Sequence, residues 1–421
     1  MKLKYNVDDR LPAGQLVAYS IQWFVLAIAV VATSVFVAQG GPAERLFYAQ
    51  KLFAVMGIAG LVQVIWGHRL PIVAGPAAVL LVGVMSSLSG DTPVSVDAIY
   101  TSIACGGVII TLLTIGNTMR LVQRLFTPRI IVVILMLIAF TLTPTIAQKL
   151  IFPHHASHGE HNFGLIFAVV GSLAMVMLNR RLSGIAKSLI IPGALAVGSA
   201  IYFALFSLPE HTASAASFEG LFIAEPTFNG SLIIAFVVCY IALIINDIGS
   251  IESVGAMLKV PNMERRLKRG IGLTGVMNIV SGAMGVLGPV NYSMSPGVIA
   301  STGCASRYAL VPSAIALILC AFSPDVIWIL TAIPNPVIGV ILLFLMGTQL
   351  AASFEMMHST KSAESFSDAL TLGLPLMVAM LFQLMPVGIA PDIIQPLVGN
   401  GFAMGVIMVI VMEHIVNRKR G

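Results

Sequence analysis

Two carboxylates stand where a polar side chain is expensive. Asp247 and Glu252 fall inside the stretch Ile241-Ala-Leu-Ile-Ile-Asn-Asp-Ile-Gly-Ser-Ile-Glu-Ser-Val-Gly255, deep in an apolar run that starts near Ser231. An acid at the middle of a bilayer costs about 2.5–3.5 kcal/mol on insertion scales and marks a proton, ion or substrate site. The alternative for Asp247 is a hydrogen bond to a neighbouring helix. The alternative for Glu252, nearer the end of the run, is contact with water. On a helix Asn246, Ser250 and Ser253 form one polar stripe, with Asp247 about 100° around from Asn246 at its edge. The other conspicuous cluster is His154-His-Ala-Ser-His-Gly-Glu-His161. Four imidazoles and a carboxylate could hold zinc. The cluster lies between two apolar runs without a helical His-Glu-x-x-His pattern, so a solvated loop is expected and no metal site is assigned. Cys105, Cys239, Cys304 and Cys320 form no Cys-x-x-Cys pair and read as small packing residues. No phosphate loop or nucleotide-hydrolysis motif is present. That argues against a self-contained ATP-driven pump, and neither an enzyme nor a cofactor is expected.

These residues need a membrane to position them. Of 421 residues 57% are hydrophobic and 10% charged, and the mean hydropathy is +0.96. Soluble domains carry about 25% charged residues, so a single water-soluble globule is excluded. A spanning helix needs about 20 apolar residues, and fourteen apolar runs can be traced between residues 14 and 416. The polar N-terminus lacks the pattern of a cleaved signal peptide. With alternating loops, only Arg45, Lys51 and Lys149 of the 23 lysines and arginines fall on the side opposite the termini. Basic loops stay inside, so both termini are expected in the cytoplasm of a cytoplasmic (inner) membrane protein. The +5 net charge then sets topology and implies no nucleic acid.

Two runs are poor helices. The third, 70–88, opens Leu70-Pro-Ile-Val-Ala-Gly-Pro-Ala-Ala78. The tenth, 291–303, is entered through Gly288-Pro-Val-Asn-Tyr-Ser-Met-Ser-Pro-Gly297. Proline removes a backbone donor and breaks a helix. Irregular chain at membrane depth must be covered by protein or line a cavity. Interrupted spans at matching places in two halves point to a transporter binding site. One lies third, the other third in a second set of seven. Seven is odd, so the second set would be inverted. The eleventh run, 308–330, reads as one span.

The motifs also carry a resemblance. Asn291-Tyr-Ser-Met-Ser-Pro-Gly-Val-Ile-Ala-Ser-Thr-Gly303 resembles a signature of an acidic residue or Gln, then Asn, one residue, Gly, four residues and Thr, matched at Gly297 and Thr302. Asn246-Asp-Ile-Gly-Ser250 resembles a Glu-x-x-Gly segment, Gln22-Trp23 a Gln-His pair, and Ile333-Pro-Asn-Pro-Val-Ile-Gly339 an Ile-Pro-x-Pro-Val-x-Gly stretch. These are features of the nucleobase/ascorbate transporters, or uracil–xanthine permeases, which the chain resembles over most of its length.

The resemblance implies an all-α polytopic membrane protein of about 14 transmembrane segments as two inverted seven-span repeats. Short broken strands would lie in spans 3 and 10. A core would comprise 14–116 and 231–330, and a gate 128–207 and 334–416. It implies import of a purine or pyrimidine base with a proton or sodium ion, by a homodimer in the lipid bilayer. Carried over by position, the substrate would meet Ala77, Ala78, Asn246, Ser250, Tyr292, Ser293, Met294 and Gly297, with Gln22 and Trp23 of the first span lining the site. The chain departs from the pattern at the acidic and proton-linked positions. Asn246 replaces Glu, Ser250 replaces His, Met294 replaces the acid that opens the signature, and Trp23 replaces His. That leaves Asp247, the deepest carboxylate, as the expected proton carrier, with Glu252 as the second proton-coupling candidate. An uncoupled or sodium-coupled carrier of another planar or anionic solute, or an ion channel, remains an alternative.

Overall fold

A computed structural model describes residues 3–38, 40–88, 94–115, 127–153, 156–182, 186, 189–207, 220–292, 295–385, 391 and 394–417. The first half contains α1 (Ala13–Ala32), α2 (Pro42–Ile65), β1 (Ala74–Pro76), α3 (Ala78–Leu88), α4 (Val96–Ile115), α5 (Pro128–Thr145), α6 (His158–Arg181) and α7 (Ile190–Leu205). The second contains α8 (Gly230–Leu258), α9 (Met263–Ala283), β2 (Pro289–Asn291), α10 (Ser295–Thr302), α11 (Leu310–Ala321), α12 (Pro324–Thr331), α13 (Asn335–Ser359), α14 (Phe366–Gln383), α15 (Gln395–Val398) and α16 (Gly401–Val411).

Local chemistry accounts for several boundaries. Asn229 caps α8 by accepting from Leu232 N–H, and Lys259 ends it in the left-handed region at φ 50°. Ser157 with Glu160, and Ser365 with Asp368, form capping boxes on α6 and α14. Pro144 removes a helical hydrogen bond near the end of α5, and the chain widens into a π turn at Ile146–Ile151.

Among the described residues eight helices are long and apolar enough to cross a membrane, or nine if one bent pair counts as a span. This is fewer than the fourteen runs of the sequence, for identifiable reasons. The third and tenth runs are a short strand followed by a short helix. The apolar helices at Ala78–Leu88, Ile190–Leu205 and Gly401–Val416 are below full length. The run 308–330 bends by 97° between Ala321 and Pro324, where Pro324 opens a new helix. The outer side of α6 exposes Ile166, Val170 and Leu173, as a lipid-facing helix would.

Two groups of helices pack internally. In the first, α4 lies along α9, and α2 along α11 and α9. In the second, α5 packs on α13, α14 and α16, and α13 on α6 and α7. Small residues let α4 and α9 approach backbone to backbone. A Cβ on Gly282 would stand 2.4 Å from Ala104 N, and one on Gly107 2.7 Å from Gly275 O. Membrane helices gain contact this way because lipid offers no hydrophobic drive between them. Residues 4–9 lie beside the end of α10: Tyr5 bridges Cys304, and Arg307 pairs with Asp8 at 2.7 Å.

Gly282→Leu is expected to lower stability by about 1–3 kcal/mol through overpacking, seen as a lower unfolding temperature in detergent. Ile166→Ala on the exposed face of α6 should leave that temperature nearly unchanged.

Candidate functional site

The site begins with backbone that cannot be helical. Pro76 and Pro289 lack N–H donors and lie opposite each other in an antiparallel pair whose register is Ala74 with Asn291, Gly75 with Val290 and Pro76 with Pro289. Ala77 N–H donates to Gly288 O, and Tyr292 N–H to Val73 O, each at 2.9 Å, closing the ladder at both ends. Ser295 Oγ accepts from Val73 N–H at 3.1 Å and donates to Tyr292 O at 3.0 Å, which ties β1 to the start of α10. Tyr292 reaches across β1 and donates its hydroxyl to Pro76 O at 2.7 Å. Gly75 makes room for that ring: a Cβ there would lie 2.7 Å from Tyr292 Cε2 and 2.8 Å from Val30 Cγ1. The absent side chain serves the tyrosine.

Beside this junction is a cavity of about 1030 Å³, at the upper end of the roughly 300–1,000 Å³ usual for small-molecule sites. Its walls come from both helix groups. Thr33 and Ser34 follow α1; Pro76 and Ala78 belong to β1 and α3; Asn246, Gly249, Glu252 and Ser253 lie on α8; and Tyr292 and Pro296 flank the entry to α10. The opposite wall is mainly apolar, with Ile134 and Ile138 of α5 and Leu342 and Met346 of α13, plus Thr348 and Gln349. The result is a greasy slot with a few convergent polar groups. Asn246 can donate and accept, Glu252 supplies a carboxylate, and the lining residues include no Lys, Arg or His. The N-termini of α3 and α10 begin at this wall and add partial positive charge.

The structure sorts the expected site residues. Ala78, Asn246, Tyr292 and Glu252 line the cavity. Ala77 is buried at the ladder's end, and Ser250 is fully buried away from the wall. Gln22 and Trp23 are also buried off the cavity; α1 and the turn after it contribute Val30, Thr33 and Ser34, further along the chain. The expected stripe on α8 is therefore rotated toward Gly249 and Glu252. Gly297 falls in α10, while Ser293 and Met294 lie outside the described residues. Asp247 does not line the cavity: it is fully buried and accepts hydrogen bonds from Thr274 Oγ1 (2.7 Å), Asn291 N (2.9 Å) and Asn291 Nδ2 (2.7 Å). Ile134, Leu342, Gln349 and the hydroxyls of Thr33 and Ser34 escaped the sequence reading. Nothing in their own segments distinguishes them from packing residues.

The histidine cluster is partly described. His154 and His155 lie outside the described residues. His161 Nε2 bonds Pro153 O at 2.9 Å, and Glu160 caps α6 while accepting the Tyr202 hydroxyl at 2.6 Å. Among the described residues no group of three or more His, Cys, Asp or Glu could hold a metal ion.

Comparison with known proteins places this architecture. The xanthine/uracil permease model, described as a permease family, matches residues 14–388. The chain is 22% identical to "Putative purine permease CPE0397" of Clostridium perfringens, over 99% of this chain and 93% of that one. It is 24% identical to "Xanthine permease XanP" of Escherichia coli, over 98% and 94%. The transmembrane domain of the cyanobacterial bicarbonate transporter BicA superposes with a TM-score of 0.58 at 15% identity, covering 94% of this chain and 97% of that one, a likeness of fold. With interrupted strands crossing beside a central slot and a family match over most of its length, the chain belongs to the xanthine/uracil permeases of the nucleobase/ascorbate transporter family, as a multi-pass membrane protein.

Proposed function

We propose that this permease is a secondary-active transporter that imports a purine or pyrimidine base together with a proton, by alternating access. The carrying observation is the slot itself: apolar walls spaced between two helix groups, with the Asn246 amide and broken backbone at one side. A nucleobase is planar and alternates donors and acceptors along its edge. An amide that both donates and accepts matches an imide-like edge without a charge, and flat apolar walls cover the faces. The relatives named as xanthine and purine permeases favour the same substrate class.

The transport cycle follows from how the helices group. α1–α4 with α8–α11 form the core and α5–α7 with α13, α14 and α16 the gate, the two moving against each other around the slot. Support for two inverted seven-span repeats comes from pairs that recur when each span is advanced by seven, taking α13 as span 12, α14 as 13 and α16 as 14. The packing of α2 on α11 becomes that of α9 on α4, and α5 on α14 becomes α13 on α6. Likewise α5 on α16 becomes α13 on α7, α8 on α16 becomes α1 on α7, and the β1–β2 pair maps onto itself. Glu252 is the acid on the cavity wall, and it carries the coupled proton. The chain works as a homodimer in the cytoplasmic membrane with both termini inside.

A thermal-shift screen of purified protein against uracil, xanthine, hypoxanthine, guanine, adenine, urate and ascorbate tests the substrate class. At least one base should raise the unfolding temperature and be taken up saturably by proteoliposomes; if none binds, the class is wrong. Asn246→Ala should weaken binding of that base about tenfold, the loss of one or two hydrogen bonds worth about 1 kcal/mol each. Glu252→Gln should still bind the base but show uptake that ignores an inward proton gradient. Uptake by this variant that responds as the wild type does would remove Glu252 from the coupling step.

A further inference from the structure

Asp247 is the acidic side chain with the costliest placement, and the cavity does not use it. Among the described residues it is the only acid that is fully buried. Its two oxygens are occupied by three donors from two other elements. Oδ1 accepts from both Asn291 N and Asn291 Nδ2, and Oδ2 accepts from Thr274 Oγ1 on α9.

The partners are held in turn. His68 Nδ1 accepts from Leu70 N–H at 3.0 Å, so its Nε2 carries the hydrogen and donates to Asn291 Oδ1 at 3.0 Å. Gln63 Nε2 donates to Thr274 Oγ1 at 3.0 Å and to Gly270 O at 2.8 Å. Besides Asp247 itself, His68 is the titratable group of this network, and the guanidinium of Arg266 donates to backbone oxygens, those of His68, Arg69 and Pro261. Donors and acceptors thus alternate from α2 through β2 and α9 to the carboxylate.

Two sequence neighbours give the network a purpose. Asn246 precedes Asp247 on α8, and a helix turns each successive side chain by about 100°. Asn246 therefore faces the slot while Asp247 faces β2. Tyr292 follows Asn291, and successive side chains of extended chain point to opposite sides. Tyr292 therefore faces the slot while Asn291 faces Asp247. We propose that Asp247 is a positioning residue for the transport site: by clamping Asn291, it fixes the distance and orientation between the cavity residues Asn246 and Tyr292.

A buried carboxylate suits this task because it offers acceptors only and takes several donors at once. The backbone N–H of Asn291 has no partner in the β1–β2 ladder, and leaving it bare inside the membrane would be costly. Asp247 supplies the missing acceptor from the helix that must stay in register. This assignment rests on the slot being the transport site, and it separates the two acids: Glu252 on the wall, Asp247 behind it.

The test uses the full chain, with the base that stabilises wild type in the thermal screen. D247N keeps a carbonyl for the two Asn291 donors and turns its amide NH2 toward Thr274 Oγ1, whose own hydrogen can rotate away. It should retain KM within about threefold of wild type and an unchanged response to a proton gradient, because its carbonyl still holds both Asn291 donors and the clamp keeps its geometry. D247A strands the Asn291 donors and should raise KM about tenfold or more. N291A, which keeps the backbone N–H bond and loses the side-chain bonds, should raise KM severalfold with Vmax little changed, and it serves if D247A does not fold. D247A with N291A should lose less than the sum of the two single variants, in KM and in unfolding temperature, because the Asn291 Nδ2–Asp247 bond is counted in both, whereas the His68–Asn291 bond is lost only with N291A. A D247N protein that transports but ignores the proton gradient would make Asp247 the proton carrier and overturn the proposal. Wild-type KM in N291A or D247A would overturn it as well. The unfolding temperatures need no substrate: additive losses in the double variant refute the clamp, whereas non-additive losses with no base bound by wild type refute only the substrate class.

Discussion

Backbone hydrogen bonding in lipid is the constraint on which this structure depends. A membrane interior offers no water to an N–H or C=O group, so an interrupted span must find partners in the protein. β1 and β2 are each three residues long and could not persist alone. They solve the problem by pairing with each other, and prolines at Pro76 and Pro289 reduce the number of donors that need satisfying. The pairing brings two segments more than 200 residues apart to the same depth. The break, the crossing and the slot beside it are consequences of one requirement.

Around that crossing, polar side chains complete what the short ladder leaves open. Asn278 Nδ2 donates to Pro289 O at 3.0 Å, Asp247 receives Asn291 N–H, and Ser295 receives Val73 N–H. Each comes from a different place: α9, α8 and the start of α10. The strands are thereby fixed to three elements, and the geometry of the slot inherits their rigidity. Tyr240 joins the same network through Asn278 Oδ1 at 2.8 Å. Buried polar networks of this kind stabilise only when each member is satisfied, which explains why so many small or amide residues gather where the sequence is otherwise aliphatic.

The far wall of the slot has a different character. α5 and α13 present Ile134, Ile138, Leu342 and Met346, residues that make no directional bonds and can slide. One side of the cavity is thus held by hydrogen bonds and the other by apolar contact. Rigid-body movement between two packed helix groups is easiest across such a face. The proposed separation of a binding core from a gate follows from this contrast in bonding.

How much of this was legible in the sequence depends on the range of the interaction involved. Membrane residence, the two interrupted spans and the oddity of an acid at Asp247 could be read directly, because hydropathy, proline and intramembrane charge act within a few residues. The family could be read from short motifs around Gly297, Thr302 and Gly249. The direction in which α8 faces could not: the stripe through Asn246 and Ser250 was close, but helix packing turned Gly249 and Glu252 to the slot and buried Ser250. The first-span pair Gln22 and Trp23 was displaced by Thr33 and Ser34 for the same reason. The bend of 97° in the eleventh run also escaped: Ser323-Pro324-Asp325 marks the place, but so short an interruption does not fix the angle, which depends on packing. Local composition determined that this chain crosses a membrane and where its helices must break. Tertiary packing decided which side chains meet at the slot and that Asp247 spends its charge on β2, because those choices depend on contacts between elements far apart in the chain.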